Sequence, residues 1–353
     1  MFRNPYFRLV VAAAVLAGCR IAAAHTFCVD NAADLQAALA SASTNGTHAD
    51  EDNIIQVVVG SYGTGAATGN LPFGYNSIAP HSLTVLGGFN ANCTARTPNA
   101  TATVIDGQNQ TGAMQLYDPY GDITVADLTF QHGNAALPGA GLSINYCSGI
   151  QCPFPEGASA SVMHSVIRNN GASNMDCGGL FVYADTLTYV AHNIVAENLT
   201  DASFAGAGCV ASNTGFTEFY GNTVVSNDSA AGADATGGIA CGGVCQIYDN
   251  IFWGNSGNGL WLGDSGAVLL FNDFALRGGA TPSVEIGDVS ENPHFVDLVG
   301  GNYHLTGASP LIGLSNVLLD GADLQGNPYP TGGYQDLGAL EETIFFDGGF
   351  EAQ

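Results

Sequence analysis

The sequence predicts an all-β chain: a right-handed parallel β-helix, a solenoid of short strands stacked turn on turn behind a short N-terminal cap helix. Three observations point there. Apolar runs of strand length follow one another with no long helical pattern between them. Turn residues abound, with 48 Gly in 353 residues and only 10% charged side chains. A nine-residue pattern also recurs at a nearly fixed interval, as it does when each turn of chain buries its apolar side chains only against its neighbours.

The cap comes first. Asn31 to Ala42 reads as a short amphipathic helix, with Asn31 as its cap and Leu35, Ala38 and Leu39 on one face. Such a helix covers the core cross-section that an end turn would otherwise expose. Strand-length runs follow at Ile54–Val59, Leu83–Leu86, Thr103–Ile105, Ile123–Phe130 and Gly141–Ile144, most of them closed by Gly or Asp-Gly.

The repeat itself aligns four segments without gaps: Val162–Asn170, Val190–Asn198, Phe219–Asn227 and Ile247–Asn255, at intervals of 28, 29 and 28 residues. Each reads apolar, two residues, Asn or Ser, one residue, apolar, two residues, Asn. A partial copy ends at Phe271-Asn272, and Ala126-Asp127-Leu128 reads as an earlier one. Parallel strands of successive turns lie about 4.8 Å apart, so residues at equal positions stack. Ser165, Asn193, Asn222, Asn250 and Asn272 then form one structural ladder, and Asn170, Asn198, Asn227 and Asn255 a second. Asn suits this place because it tolerates the dihedrals of a sharp bend and can hydrogen-bond to its own stack.

The charge balance excludes one class of partner. The chain has no Lys, six Arg and 31 acids, a formal charge of −25. Arg3, Arg8 and Arg20 lie in the N-terminal segment, and without it 31 acids face three Arg, a formal charge of −28. Such a surface repels phosphate backbones, which argues against nucleic acid as a partner. Residues 1–24 read as a signal peptide, with a basic start, an apolar run at Leu9–Gly18 too short to span a bilayer, and Ala22-Ala23-Ala24 before His25 as a cleavage site. The alternative is a lipoprotein signal ending before Cys19, since Leu16-Ala17-Gly18-Cys19 resembles a lipobox. The expected protein is therefore exported, extracellular or at the cell surface, with no later membrane span. Residues 25–342 form its β-helix domain, with an irregular closing segment from about 295, and 343–353 a tail. A monomer is expected.

Eight further cysteines, Cys28, Cys93, Cys147, Cys152, Cys177, Cys209, Cys241 and Cys245, fit disulfides in an oxidising compartment. Cys147/Cys152 and Cys241/Cys245 are spaced for local loops, Cys177/Cys209 can staple adjacent turns and Cys28/Cys93 can tie down the N-terminal end. Spacing alone leaves the connectivity open.

A family resemblance joins these readings. Ile54 to Asp106, with Gly60-Ser61-Tyr62, Leu83-Thr84-Val85-Leu86-Gly87-Gly88 and Thr103-Val104-Ile105-Asp106-Gly107, resembles the opening coils of bacterial right-handed β-helix proteins. Asn302 to Pro310, Asp320 to Asn327 and Gln335-Asp336-Leu337-Gly338-Ala339 resemble the closing segment of the choice-of-anchor group of that fold. Ile344 to Glu351 is similar to a short Asp-Gly-Phe-Glu tail of exported bacterial proteins, with one extra Gly. The resemblance implies export and surface association, on a fold that hosts lyases, hydrolases and adhesins alike.

Candidate site residues divide by chemistry. Pectate lyases of this fold use calcium, carboxylates and a basic Arg or Lys; only Arg168 lies in the repeat to play that part, and a solvated edge residue is its plainer reading. A glycoside hydrolase needs two carboxylates roughly 5–9.5 Å apart, for which Glu197, Glu218 and Asp249 are the candidates. His164 and His192 share one repeat position and can stack toward a metal, or simply as turn residues. Asp320 and Asp323, with Asn327, offer oxygens to calcium, the one cofactor the composition suggests. Tyr189, Tyr220, Tyr248 and Trp253 suit the C–H faces of sugars, or stabilise the stack. The missing Lys and scarce Arg favour a non-catalytic protein that binds a polysaccharide or another cell-surface component along its sheet face, over a polysaccharide lyase or glycoside hydrolase.

Overall fold

A computed structural model describes residues 24–146, 155–173, 175–202, 204–230, 235–317, 321–330 and 334–342. Residues 1–23, with Cys19, and Cys147, Cys152, Asp320 and residues 343–353 lie outside them. The described chain is all-β, built of parallel sheets, with one α-helix.

The largest sheet has two arms. One runs from His25–Val29 through Asn53–Val58, Leu83–Phe89, Ile123–Ala126 and Ser159–Met163 to Leu187–Ala191; the other from Phe73–Asn76 through Met114–Tyr117 and Leu142–Ile144 to Leu180–Ala184. The long strands Gly208–Tyr220 and Ile239–Tyr248 belong to both arms. An eight-stranded sheet runs from Gly60–Gly63 to Asp273–Phe274, and a four-stranded one joins two-residue strands such as Asn134–Ala135 and Leu199–Thr200. The registers follow the repeat: Val162 pairs with Val190, Val190 with Phe219, and Phe219 with Ile247. Alternate residues of each strand point inward, so Val162, Val190, Phe219, Ile247 and Leu269 line one wall of the core and Ile167, Val195, Val224 and Phe252 another. Among the described residues, the only antiparallel pair of strands, Phe295–Asp297 with Asn302–Leu305, lies in the closing segment.

The helix spans Ala32–Ala42. Asn31 caps it, its side chain accepting from Asp34 N at 3.0 Å, and Leu35, Ala38, Leu39 and Ala42 are buried. Gln36 ties it to the edge strand Phe73–Asn76, accepting from Gly74 N at 3.1 Å, which covers an edge that would otherwise template another chain. Among the described residues, no helix is long and apolar enough to cross a membrane.

Both ladders are drawn in hydrogen bonds. Asn193 N donates to Asn222 Oδ1 at 2.9 Å, Asn222 N to Asn250 Oδ1 at 2.9 Å, and Asn250 N to Asn272 Oδ1 at 3.2 Å. Ser165 N donates to Asn193 Oδ1 at one end, and Asn272 N to Asp288 Oδ1 at the other. The second ladder runs from Gly133 N through Asn170, Asn198 and Asn227 to Asn255.

One expectation is corrected here: the unusual dihedrals do not fall on the ladder Asn. They fall on the residue before each, at Asp127, His164, His192, Gly221, Asp249 and Phe271 in the first bend, and at His132, Asn169, Glu197, Ser226 and Gly254 in the second, all with φ between 46° and 64°. The left-handed residue turns the chain, and the Asn behind it is left buried in an ordinary conformation to bind its stack. The same bend breaks Ile123–Phe130, expected as one run, into Ile123–Ala126 and Thr129–Gln131.

Gly221 is special among these positions, because a Cβ there would lie 2.5 Å from His192 Nδ1. Gly254 has the same conformation with nothing nearer than 3.7 Å. Gly254→Ala is expected to cost about 1 kcal/mol, the left-handed penalty alone. Gly221→Ala should cost at least about twice that and push the His192 ring aside. Thermal unfolding of the two variants checks the order.

Disulfides join Cys28 to Cys93, Cys177 to Cys209 and Cys241 to Cys245. The first holds the opening strand, the second staples adjacent turns, and the third spans the corner inside Ile239–Tyr248. They suit an oxidising compartment.

Candidate functional site

The closing segment builds the site by folding back over the outer face of the eight-stranded sheet. Val166, Ile194, Ala196 and Val225 on that face pack with Tyr303, Leu324, Ala339 and Leu340 in a second apolar cluster, and Ile251 packs with Leu305, Leu311 and Leu337 in a third. This cover divides the predicted residues among three places.

The first is the column of left-handed residues at the bend. His164 and His192 stack with centroids 5.4 Å apart and planes at 11°. Their nitrogens meet the closing segment: His164 Nε2 lies 3.0 Å from Ala322 O and His192 Nδ1 2.6 Å from the Tyr329 hydroxyl. Burial, with a smaller push from His164, drives His192 down to about 3, so it stays neutral. Asp249, on the same column past Gly221, is fully buried and neither oxygen makes a well-formed hydrogen bond. Burial pushes it up to about 8, with Glu341 adding repulsion and Ser315 opposing; Glu341 is itself raised to about 7 by burial, then by Asp336. These groups hold the closing segment down, and the His192 and Asp249 side chains are buried beneath it. Asp323 is committed as well. Its two oxygens accept from Gln325 N, Asn327 N, Asn327 Nδ2 and Glu341 N at 2.7–3.0 Å, which organises the 323–327 loop and leaves little for calcium.

The second place is the outer face of the arm ending in Tyr248. Strand register brings Tyr189 opposite Glu218, and Tyr220 opposite Tyr248. Tyr220 and Tyr248 stack with centroids 4.8 Å apart and planes at 6°, while the Tyr189 and Tyr220 hydroxyls hydrogen-bond and Tyr220 also abuts His192. Parallel strands about 4.8 Å apart set Tyr220 on Tyr248, while Tyr189, one column over, meets Tyr220 edge-on with planes at 81°. Burial raises the Glu218 carboxyl beside them.

The third place is the eight-stranded sheet beyond the cover. Arg168 is exposed and donates to Gln131 Oε1 from Nε and Nη2 at 3.3 and 3.1 Å. The other described arginines are engaged too, Arg96 with Asp127, and Arg277 with Ala280 O and Glu285. Glu197 is exposed on the second bend. Trp253 stands in the register column of Arg168, three strands along, half-buried at the edge of the closing segment. There a cleft of about 360 Å³ is lined by Trp253, Phe295 and Leu298, with Asn292, His294 and Thr306 on its polar side.

The carboxylates suggested for hydrolysis are thus dispersed: Glu218 on one face, Glu197 on the second bend, Asp249 under the closing segment. Sequence reasoning missed the lining of the Trp253 cleft, since Asn292 to Thr306 follow no repeat. It also missed a second cleft, of about 280 Å³, where Arg96 and the buried Asp127 meet His164, Asp323 and Leu324. An Arg set against a bend Asp was the available signal. No family model, curated protein or solved structure matches the chain.

Proposed function

We propose that this chain is an exported right-handed parallel β-helix protein that binds glycans without cleaving them, through the cleft beside Trp253. Parallel pairing one repeat apart, the two Asn ladders and the helix over the first turns support the fold; the disulfides fit export. The cleft carries the functional reading. Trp253 and Phe295 offer an apolar wall to the C–H face of a sugar, and Asn292, His294 and Thr306 supply hydrogen-bonding groups at its side. Cleavage has less support, because no two of the candidate carboxylates face one another across this cleft and each described arginine is engaged.

A glycan array probed with the purified protein tests the reading. Retention of some glycans is expected, with Trp253→Ala lowering the affinity at least about tenfold, the order of a lost aromatic–sugar contact. Retention that Trp253→Ala leaves unchanged would move the site elsewhere.

A further inference from the structure

The N-terminal end holds a cluster that neither the fold nor the glycan cleft uses. Strand His25–Val29 pairs with Asn53–Val58, His25 lying opposite Asn53. The intervening chain passes through the helix and returns by a loop that sets His48 and Glu51 beside His25. The two imidazoles stack with centroids 3.4 Å apart and planes at 22°, and His48 Nδ1 lies 2.5 Å from Glu51 Oε1. One ligand atom from each of the three residues lies within 4.8 Å of the others, and all three side chains are half-buried, open to an ion from solvent.

The backbone beneath them is fixed. Asn53, only 2% exposed, donates from Nδ2 to the carbonyls of both His48 and Glu51, at 2.9 and 2.7 Å. His48 N donates to Ser41 O at 2.9 Å, and His25 N to Asp52 O at 2.8 Å. The Phe27 ring stands edge-on to both imidazoles, at 4.4 and 5.5 Å, and walls one side. Two imidazoles and a carboxylate are thereby presented from a clamped loop and a paired strand, with side chains alone left to adjust.

We propose that His25, His48 and Glu51 bind a divalent first-row transition metal, with zinc the ion the set fits best. Two imidazole nitrogens and one carboxylate are ordinary zinc ligands and leave a fourth position for water. Calcium and magnesium prefer oxygen ligands and would gain little from the two imidazoles. Binding replaces the contact between two stacked rings with two metal–nitrogen bonds and ties the first strand to the loop after the helix. The ion would therefore stabilise the end of the stack where its edge is covered.

Zinc chloride titrated calorimetrically into the full chain, after dialysis against a chelator, tests the site. One site well above the background of the acidic surface is expected, with a rise in Tm on zinc addition. His25→Ala and His48→Ala should each weaken it at least about 100-fold and Glu51→Gln about tenfold. His132→Ala, at the separate His132–Asp106 pair, should leave it unchanged. Cobalt(II) in place of zinc should give a strong visible band in the wild type and lose it in His48→Gln, whose far-UV circular dichroism checks folding. Absence of a distinct site, or zinc binding equal in the wild type and all three ligand variants, would overturn the proposal.

Discussion

Asn222→Ala is expected to destabilise the protein by about 4 kcal/mol, near the top of the range for a single substitution. Asn222 Nδ2 donates to Val190 O and Tyr220 O at 2.9 Å and to Asn250 Oδ1 at 3.1 Å; its Oδ1 accepts from Asn193 N and Nδ2 at 2.9 and 3.0 Å. All of this is buried. Alanine removes all of these contacts and strands the Asn193 backbone N–H and one of its two amide hydrogens, the other still reaching Val162 O, each at about 1–3 kcal/mol. The lost amide volume adds a void. Glu197→Ala makes the contrast, since its side chain is exposed and its change should stay within about 0.5 kcal/mol. Parallel thermal and urea unfolding decides it. An Asn222→Ala variant as stable as Glu197→Ala would mean that the ladder does not hold the turns together.

Stability is expected to fall as pH rises from 5 to 8. Burial holds Asp249 up to about 8, Asp273 and Glu341 up to about 7 and Asp288 up to about 6. In the unfolded chain these carboxyls release their protons near 4. Between those limits the folded state binds protons that the unfolded state has lost. Their contribution is therefore complete below about pH 4 and disappears as pH passes through each folded value, at about 1.4 kcal/mol per pH unit for each group. His192 works the other way: held at about 3 when folded and near 6.5 when unfolded, it makes stability rise with pH up to about 6.5. One such group offsets only part of four, and above about 6.5 it adds nothing. The excess of negative charge acts in the same direction as the carboxyls. Asp249→Asn should flatten the curve most and be more stable than the wild type at pH 8. A Tm that is level or rising from pH 5 to 8 would show that these carboxyls ionise freely in the folded protein.

What the sequence made legible is what repeats. The Asn positions stand out because 28-residue spacing places them in register, and the cap helix because Leu35, Ala38 and Leu39 keep a helical period beside a capping Asn31. The left-handed position escaped notice because its residues share no chemistry: Asp, His, His, Gly, Asp and Phe occupy it in turn at the first bend, and from His164 on it is the Ser or Asn that follows which hydrogen bonds constrain. Asp288 was missed as the last ladder rung because it comes 16 residues after Asn272, off the period. The closing segment is aperiodic, so nothing local shows that Tyr329 reaches His192 or that Glu341 crowds Asp249; their burial is set by contacts across 137 and 92 residues. The same holds for His25, His48 and Glu51, which strand pairing and one loop bring together. Of the expected tyrosine stack only Tyr220 and Tyr248 lie face to face; Tyr189 stands opposite Glu218 and meets Tyr220 edge-on.

The most direct test of binding without cleavage uses the glycans retained on the array as substrates. The purified protein would be incubated with each, with calcium and without, and both unsaturated products and new reducing ends measured. Neither should form above the level given by heat-denatured protein. Unsaturated products would instead identify a lyase and direct attention to Arg168, while reducing ends alone would identify a hydrolase and contradict the dispersal of Glu197, Glu218 and Asp249.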